Sequence, residues 1–291
     1  MTVLISGCGD LGTEVGLRFS GRGHRVVGLR RDISVLPEQI SGQSVDLRTD
    51  RPGIPSDTEF VVIAISAGEP SIAAYRAAYL DGLSNLLDAI DDANVTPHRV
   101  LLVSSTAVYD INDGSLVTEE TPAHPKPGTD EVVLEAEQML QARLPAATVF
   151  RLAGVYGPGR ERMIEQVRSG ASLSAQPRHT NRIHRDDAAA AIVHLLLRTE
   201  DPAPLYLGVD NAPVLANEVV TFIAAEMGLP APTLAPTQAP TDLAAARREN
   251  LRGGDKLLSN QLLRDTGFLF TYPTFREGYR AILAGTGTRH R

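Results

Sequence analysis

Only two of the 28 basic residues are lysines, Lys126 and Lys256; every other one is arginine. Cysteine occurs once, at Cys8, which excludes an intrachain disulfide and leaves nothing for a cysteine-based zinc centre; no metal site is expected. No excess of positive charge exists either. Lys and Arg number 28 against 35 Asp and Glu, a formal charge of −7, so a polyanion is repelled and nucleic acid is not an expected partner. Long hydrophobic runs are missing: the longest, Phe60 to Ala67 and Ala188 to Ile192, fall well short of a membrane span. The first residues, Met1-Thr2-Val3-Leu4-Ile5, carry no basic stretch of the kind that opens a secretory signal. Neither export nor a membrane is expected, and a reducing cytoplasm suits the lone thiol.

What is present is ordinary globular usage, 43% apolar and 22% charged over 291 residues, enough for a substantial core. The first half alternates short β-branched runs with longer helical patterns, the signature of a parallel sheet with crossover helices. Strands are expected at Val3–Ile5, Arg25–Leu29, Phe60–Ala64, Val100–Val103 and Thr148–Phe150. Leu80, Leu83, Leu86, Leu87 and Ile90 recur at three- and four-residue spacing and predict one long helix over 72–93. Val133, Ala136, Leu140 and Leu144 predict another over 129–144, with Asp130 and Glu131 suiting its dipole. Beyond residue 152 the rhythm breaks. Asp186 to Leu197 reads as a helix packed back on the sheet, Leu205 to Val209 as a further strand, and the proline-rich stretch Pro230 to Pro240 as a surface connection.

Gly7-Cys8-Gly9-Asp10-Leu11-Gly12 matches G-x-G-x-x-G directly after a strand and at the start of a helix, expected over Asp10 to Phe19. The first glycine serves the tight turn, the second the close approach of a diphosphate, and the third helix–strand packing. The helix start directs free N–H groups at an anion. Gly7, Gly9, Asp10, Leu11 and Gly12 are therefore candidate dinucleotide-binding residues. The second strand runs into Arg30-Arg31-Asp32. Guanidinium groups clamp a 2′-phosphate, which favours NADP; Asp32 as the acidic ribose residue of an NAD site is the alternative. Asp46 and Leu47 are placed beside the adenine, and Ser66, Ala67 and Gly68 beneath the nicotinamide half.

Four segments, Gly7–Gly12, Ser104-Ser105-Thr106-Ala107-Val108-Tyr109, Arg151 to Gly159, and Arg182-Ile183-His184-Arg185-Asp186-Asp187, stand in an order that resembles the extended short-chain dehydrogenase/reductases, the NAD(P)-dependent epimerase/dehydratase family. The resemblance implies a doubly wound α/β Rossmann fold with a smaller, discontinuous substrate region. The Rossmann part is expected over 1–151 and 186–210, the substrate region over 152–185 and 211–291. It also implies hydride transfer on a carbonyl or sugar-nucleotide-type substrate, with Ser105 binding the reacting oxygen, and a homodimer paired through the 72–93 and 129–144 helices. The family's acid/base is a helical tyrosine with a lysine four residues on, which brings a phenol with a pKa near 10 toward working pH. Here those positions hold Thr129 and Val133, and no tyrosine has a lysine four places after it.

Three explanations stand side by side: Tyr109 or Tyr156 substitutes from a loop, the reaction needs no strong base, or the chain binds cofactor without turnover. The last makes the protein an NADP(H)-binding sensor or regulatory module. Tyr79 stands where relatives carry an amide. Convergence of Arg160, Arg162, Arg168 and Arg182 would form a pocket for an anionic substrate; scattered, they are surface charge. His184 reads as a structural hydrogen-bonder and Asp186 or Asp187 as a helix start.

Overall fold

Thr2–Ser6 forms β1, and all five residues are buried, as expected of a strand covered on both faces. The computed structural model describes residues 1–170, 172–174, 177–235 and 254–290. After β1 come α1 (Asp10–Ser20), β2 (Arg25–Arg30), β3 (Ser41–Ser44) and β4 (Thr58–Ile63). Next are α2 (Ile72–Tyr75), α3 (Gly82–Asp92), β5 (Arg99–Ser105), α4 (Thr129–Arg143) and β6 (Thr148–Leu152). The chain continues through α5 (Arg162–Arg168), α6 (Arg185–Leu197), β7 (Leu205–Gly208), α7 (Ala216–Glu226), α8 (Gln261–Asp265) and α9 (Phe275–Leu283).

The seven strands lie in one sheet in the order β7-β6-β5-β4-β1-β2-β3, every neighbouring pair parallel. Order reverses at β1, which sits between β4 and β2. In an open parallel sheet that reversal opens a crevice at the carboxyl ends, where ligands bind. Leu80, Leu83, Leu86, Val132 and Leu140 fill one face with the inner side of β1, β4 and β5. Val15, Phe19, Ala188, Ile192 and Leu196, from α1 and α6, fill the other.

The helix expected over 72–93 is interrupted. Ser71 caps its start, its hydroxyl accepting from Ala74 N at 3.2 Å, but Arg76–Asp81 widens into a π-helical stretch before α3 resumes. A π turn inserts a residue into the ladder, a shift that apolar spacing alone does not reveal. Tyr75 and Tyr79 stack there with ring centroids 5.3 Å apart and pack on the cluster that contains Val133 of α4.

Beyond β6, a second core gathers Tyr156, Ile164, Val219, Ile223, Phe275 and Tyr279 from α5, α7, α9 and their connections. A short parallel pair within this region joins Gly154–Tyr156 to Arg182–His184, and another, Leu116–Val117 with Leu257–Leu258, stitches it to the first. Of the proline-rich stretch, 230–235 is described, and its Leu234–Ala235 pairs with Leu173–Ser174; 236–240 lies outside the described residues. No helix among the described residues is long and apolar enough to cross a membrane.

Candidate active site

At the reversal, Gly7 N and Cys8 N donate to Leu29 O at 3.2 and 3.1 Å and fold the chain sharply out of β1. Gly7 has φ +84° and lies so close to β4 that a Cβ would stand 2.4 Å from Ala64 O; at Gly12 a Cβ would stand 2.6 Å from Gly7 O. Gly9 differs, because nothing lies within 4 Å of its would-be Cβ. The tight turn and the helix–strand contact are thus occupied by protein, while the second glycine faces open space at the start of α1, whose first turn has no side-chain cap. Open space beside uncapped N–H groups fits the diphosphate of a dinucleotide. Cys8 is sealed beneath the loop and burial pushes its thiol up, which makes it a poor nucleophile.

Asp10, in that first turn, does not face the loop freely. It accepts from Arg160 Nε at 3.0 Å, from Arg185 Nη1 at 2.8 Å and from His290 N at 3.1 Å. Arg185 is fully buried and also donates to Asp186 at 2.6 Å and to Thr288 O at 2.8 Å. The carboxylate is thereby neutralised by guanidinium groups from the second region. Glu14, one turn on, is bonded to His290, which holds its carboxyl at about 2. Leu11 is half-buried at the same end of α1.

At the end of β2, Arg30 is half-buried with Nη1 donating to Cys8 O at 3.0 Å, and Arg31 is exposed. Asp32 caps the short turn that follows: its Oδ1 accepts from Ser34 N at 3.0 Å and Ser34 Oγ at 2.6 Å, which hold its carboxyl below the usual range. Asp46 grips Arg48 at 2.8 and 2.5 Å, and that contact lowers its carboxyl to about 2. Leu47 is half-buried and its carbonyl accepts from Asn85 Nδ2 at 2.8 Å. Ser66, Ala67 and Gly68 follow the end of β4; Ser66 and Gly68 are exposed, and Gly68 has φ +80°.

Ser105 ends β5 with its hydroxyl half-buried, accepting from Ala107 N at 3.1 Å. The two tyrosines considered as its partners do not converge on it. Tyr109 is 1% exposed, and its phenol takes a 2.5 Å hydrogen bond from Arg151 Nη1. Tyr156 lies in the other core, stacked on Tyr279 at 4.8 Å with its hydroxyl 3.5 Å from Thr274 O. Burial pushes both phenols upward, and the same holds for Tyr75, Tyr79, Tyr206, Tyr272 and Tyr279, Tyr79 reaching about 12. All seven tyrosines of the chain are therefore harder to ionise than free phenol.

Beneath Ser105 lies a buried network that sequence pattern did not single out. Glu137, 2% exposed, accepts from Arg151 Nε at 3.0 Å and Nη2 at 2.6 Å and from the Ser104 hydroxyl. The available signal was an acidic residue on the apolar face of α4, beside Val133, Ala136 and Leu140. The four arginines of the second region do not form one anion pocket. Arg160 pairs with Asp10, Arg168 lies 3.7 Å from Glu161 on the surface, and Arg162 is exposed. Arg182 is buried, 5.7 Å over the Phe275 ring. His184 caps α6, its Nδ1 accepting from Asp186 N at 3.2 Å, and burial lowers the imidazole to about 4. Asp187 accepts from Thr271 N and Tyr272 N at 2.8 Å each.

The model of the NAD dependent epimerase/dehydratase family matches residues 3–206. The chain belongs to that family. A protein from Methylobacillus flagellatus classed as an NAD-dependent epimerase/dehydratase is 33% identical, with a TM-score of 0.78 over 98% of both chains. A functionally unknown conserved protein from Silicibacter pomeroyi is 26% identical, with a TM-score of 0.77 over 99% of both. MoeE5, solved with UDP-glucuronic acid and NAD, shares the fold at 20% identity and a TM-score of 0.74 over 96% of both. No curated protein matches the sequence.

Proposed function

We propose that the protein is an NADP(H)-dependent oxidoreductase of epimerase/dehydratase type, acting on a small carbonyl or sugar-nucleotide substrate whose reacting oxygen lies at Ser105. The observation that carries it is the open face of Gly9 at the uncapped start of α1, with Gly7 and Gly12 closed against protein. Residues 1–151 with 186–210 hold the dinucleotide, and 152–185 with 211–291 close over the substrate. Arg30 and Arg31 take the 2′-phosphate, supported by the engagement of Asp32 with Ser34; NAD is the alternative cofactor. Asp46 and Leu47 flank the adenine, and Ser66, Ala67 and Gly68 run under the nicotinamide, which when bound supplies or accepts a hydride. UDP-sugars bound to MoeE5 make sugar nucleotides the first substrates to try. Two copies pair, in this proposal, through the α2–α3 and α4 helices, and the protein works in the cytoplasm.

The test is hydride exchange: NADPH, a panel of sugar nucleotides and small carbonyl compounds, and detection of label moved from the cofactor to product. Turnover with any member supports the proposal; NADPH binding without exchange across the panel refutes it.

A second reading rests on the seven raised phenols and on Thr129 and Val133. It makes the chain a cofactor-binding sensor that reports the NADP(H) ratio to a partner. It requires unequal affinity for the oxidised and reduced cofactor, because equal affinity shifts no equilibrium. Equal dissociation constants for the two forms exclude it.

A further inference from the structure

With only two lysines in the chain, their positions are informative: Lys126 belongs to the loop that follows β5, and Lys256 bonds to that loop. Lys126 stands 3.3 Å from Asp110 on the surface. Lys256 arrives from the far end of the sequence and is 4% exposed. Its Nζ donates to the Tyr109 carbonyl at 2.7 Å, and Tyr109 lies one short turn, Thr106–Val108, beyond Ser105. Among the described residues, that is the only hydrogen bond of its ammonium, and no carboxylate comes within 4 Å.

The backbone that carries Lys256 is clamped. Asn181 Nδ2 donates to Lys256 O at 2.9 Å, Leu257 N to Ser115 O at 3.0 Å, and Gly254 packs so closely that a Cβ would stand 2.0 Å from Ile111 O. Asp255 is engaged with His179 at 2.7 Å and so leaves the ammonium alone. The charged groups facing Nζ are Asp110 and Lys126 from the loop and Asp130 from the first turn of α4. Asp130 is the neighbour of Thr129, where the family's tyrosine is absent. A buried ammonium with three donors and, among the described residues, one acceptor is poorly compensated.

We infer that Lys256 is the proton donor to the substrate's reacting oxygen, a catalytic amine brought from the C-terminal region to the carboxyl end of β5 in place of the helical pair missing at Thr129 and Val133. This rests on the oxidoreductase reading above. In the reducing direction the carbonyl carbon accepts a hydride from a reduced nicotinamide dinucleotide, which is oxidised. The C=O π pair moves to oxygen, oxygen takes a proton from Nζ, and the neutral amine regains one from solvent; the oxidising direction is the reverse. Chemistry agrees with position, because burial lowers the Lys256 ammonium while it raises every phenol. An amine with a lowered pKa transfers protons near neutral pH more readily than a buried tyrosine.

The experiment uses the full chain and a small carbonyl probe, formaldehyde with cyanoborohydride, on folded protein at mildly alkaline pH. Lysine ε-carbons labelled with 13C give two signals, assigned with Lys126→Arg. Lys256 is expected to be methylated, and its ε-carbon to titrate below the range of free lysine. In parallel, Lys256→Met is expected to cost about 100-fold in kcat for NADPH-dependent carbonyl reduction with the NADPH Kd within about twofold. Wild-type rate is expected to fall as pH rises through the Lys256 midpoint, and Lys256→Arg to lose that dependence. A Lys256 that stays unmethylated while Lys126 reacts overturns the assignment, as does a Lys256→Met protein with wild-type kcat. If NADPH fails to bind, the oxidoreductase reading falls by itself, and methylation still decides whether Nζ meets a carbonyl group.

Discussion

Replacing Gly9 by alanine separates the role of the glycine loop from its architecture. Its backbone, at φ −87° and ψ −154°, accepts an L side chain, and a Cβ there touches nothing within 4 Å. Stability should change by no more than about 0.5 kcal/mol. In the proposed placement of the cofactor, the added methyl stands where a diphosphate oxygen approaches. Losing one N–H hydrogen bond to a charged oxygen costs about 1.5–3 kcal/mol, so the NADPH Kd should rise about 10- to 150-fold. Gly12→Ala should do the opposite first: its Cβ meets Gly7 O at 2.6 Å, backbone against backbone, and overpacking of this kind costs about 1–3 kcal/mol of stability. Urea unfolding and calorimetric titration with NADPH give both quantities. A Gly9→Ala protein that binds NADPH like wild type refutes the placement of the diphosphate.

Arg31→Ala should weaken NADPH by about tenfold or more, by loss of a charge-assisted contact to the 2′-phosphate, while leaving NADH unchanged; equal weakening of both would place Arg31 elsewhere. Glu137→Ala strands a guanidinium that is only 7% exposed and should cost about 3–5 kcal/mol. Pairing it with Arg151→Met should recover much of that in urea unfolding. Asp210 is 1% exposed, and burial raises its carboxyl to about 7. Between about pH 4 and 7 the unfolded chain releases this proton while the folded chain keeps it, so stability falls as pH rises, with a slope of up to about 1.4 kcal/mol per unit. Asp210→Asn should flatten that decline; an unchanged pH profile of unfolding would show that Asp210 is ionised in the folded protein.

Those features that depend on local chemistry were legible in the sequence. Val3–Ile5, the glycine turn and the helix from Asp10 stand as expected because strand, turn and helix start are each encoded within a few residues. Spacing on α4 and α6 carried far enough to place both helices within a residue or two of their ends. The π-helical stretch at Arg76–Asp81 escaped, since apolar periodicity on either side of it is intact. Tyr109 and Tyr156 read as loop phenols near a cleft because nothing nearby announces Arg151 or Tyr279; their burial is decided by strands and helices far along the chain. Glu137 and Lys256 escaped for the same reason. One is a lone acid among the apolar positions of α4, and the other reaches the loop after β5 only when Leu257–Leu258 pairs with Leu116–Val117.

All of this depends on a nicotinamide dinucleotide seated at Gly9. The most direct test is calorimetric titration of the folded wild-type chain with NADPH and with NADH. Saturable uptake of one dinucleotide per chain, tighter for NADPH, is the expected result. No measurable binding of either at millimolar concentration, by protein shown to be folded, would contradict the account.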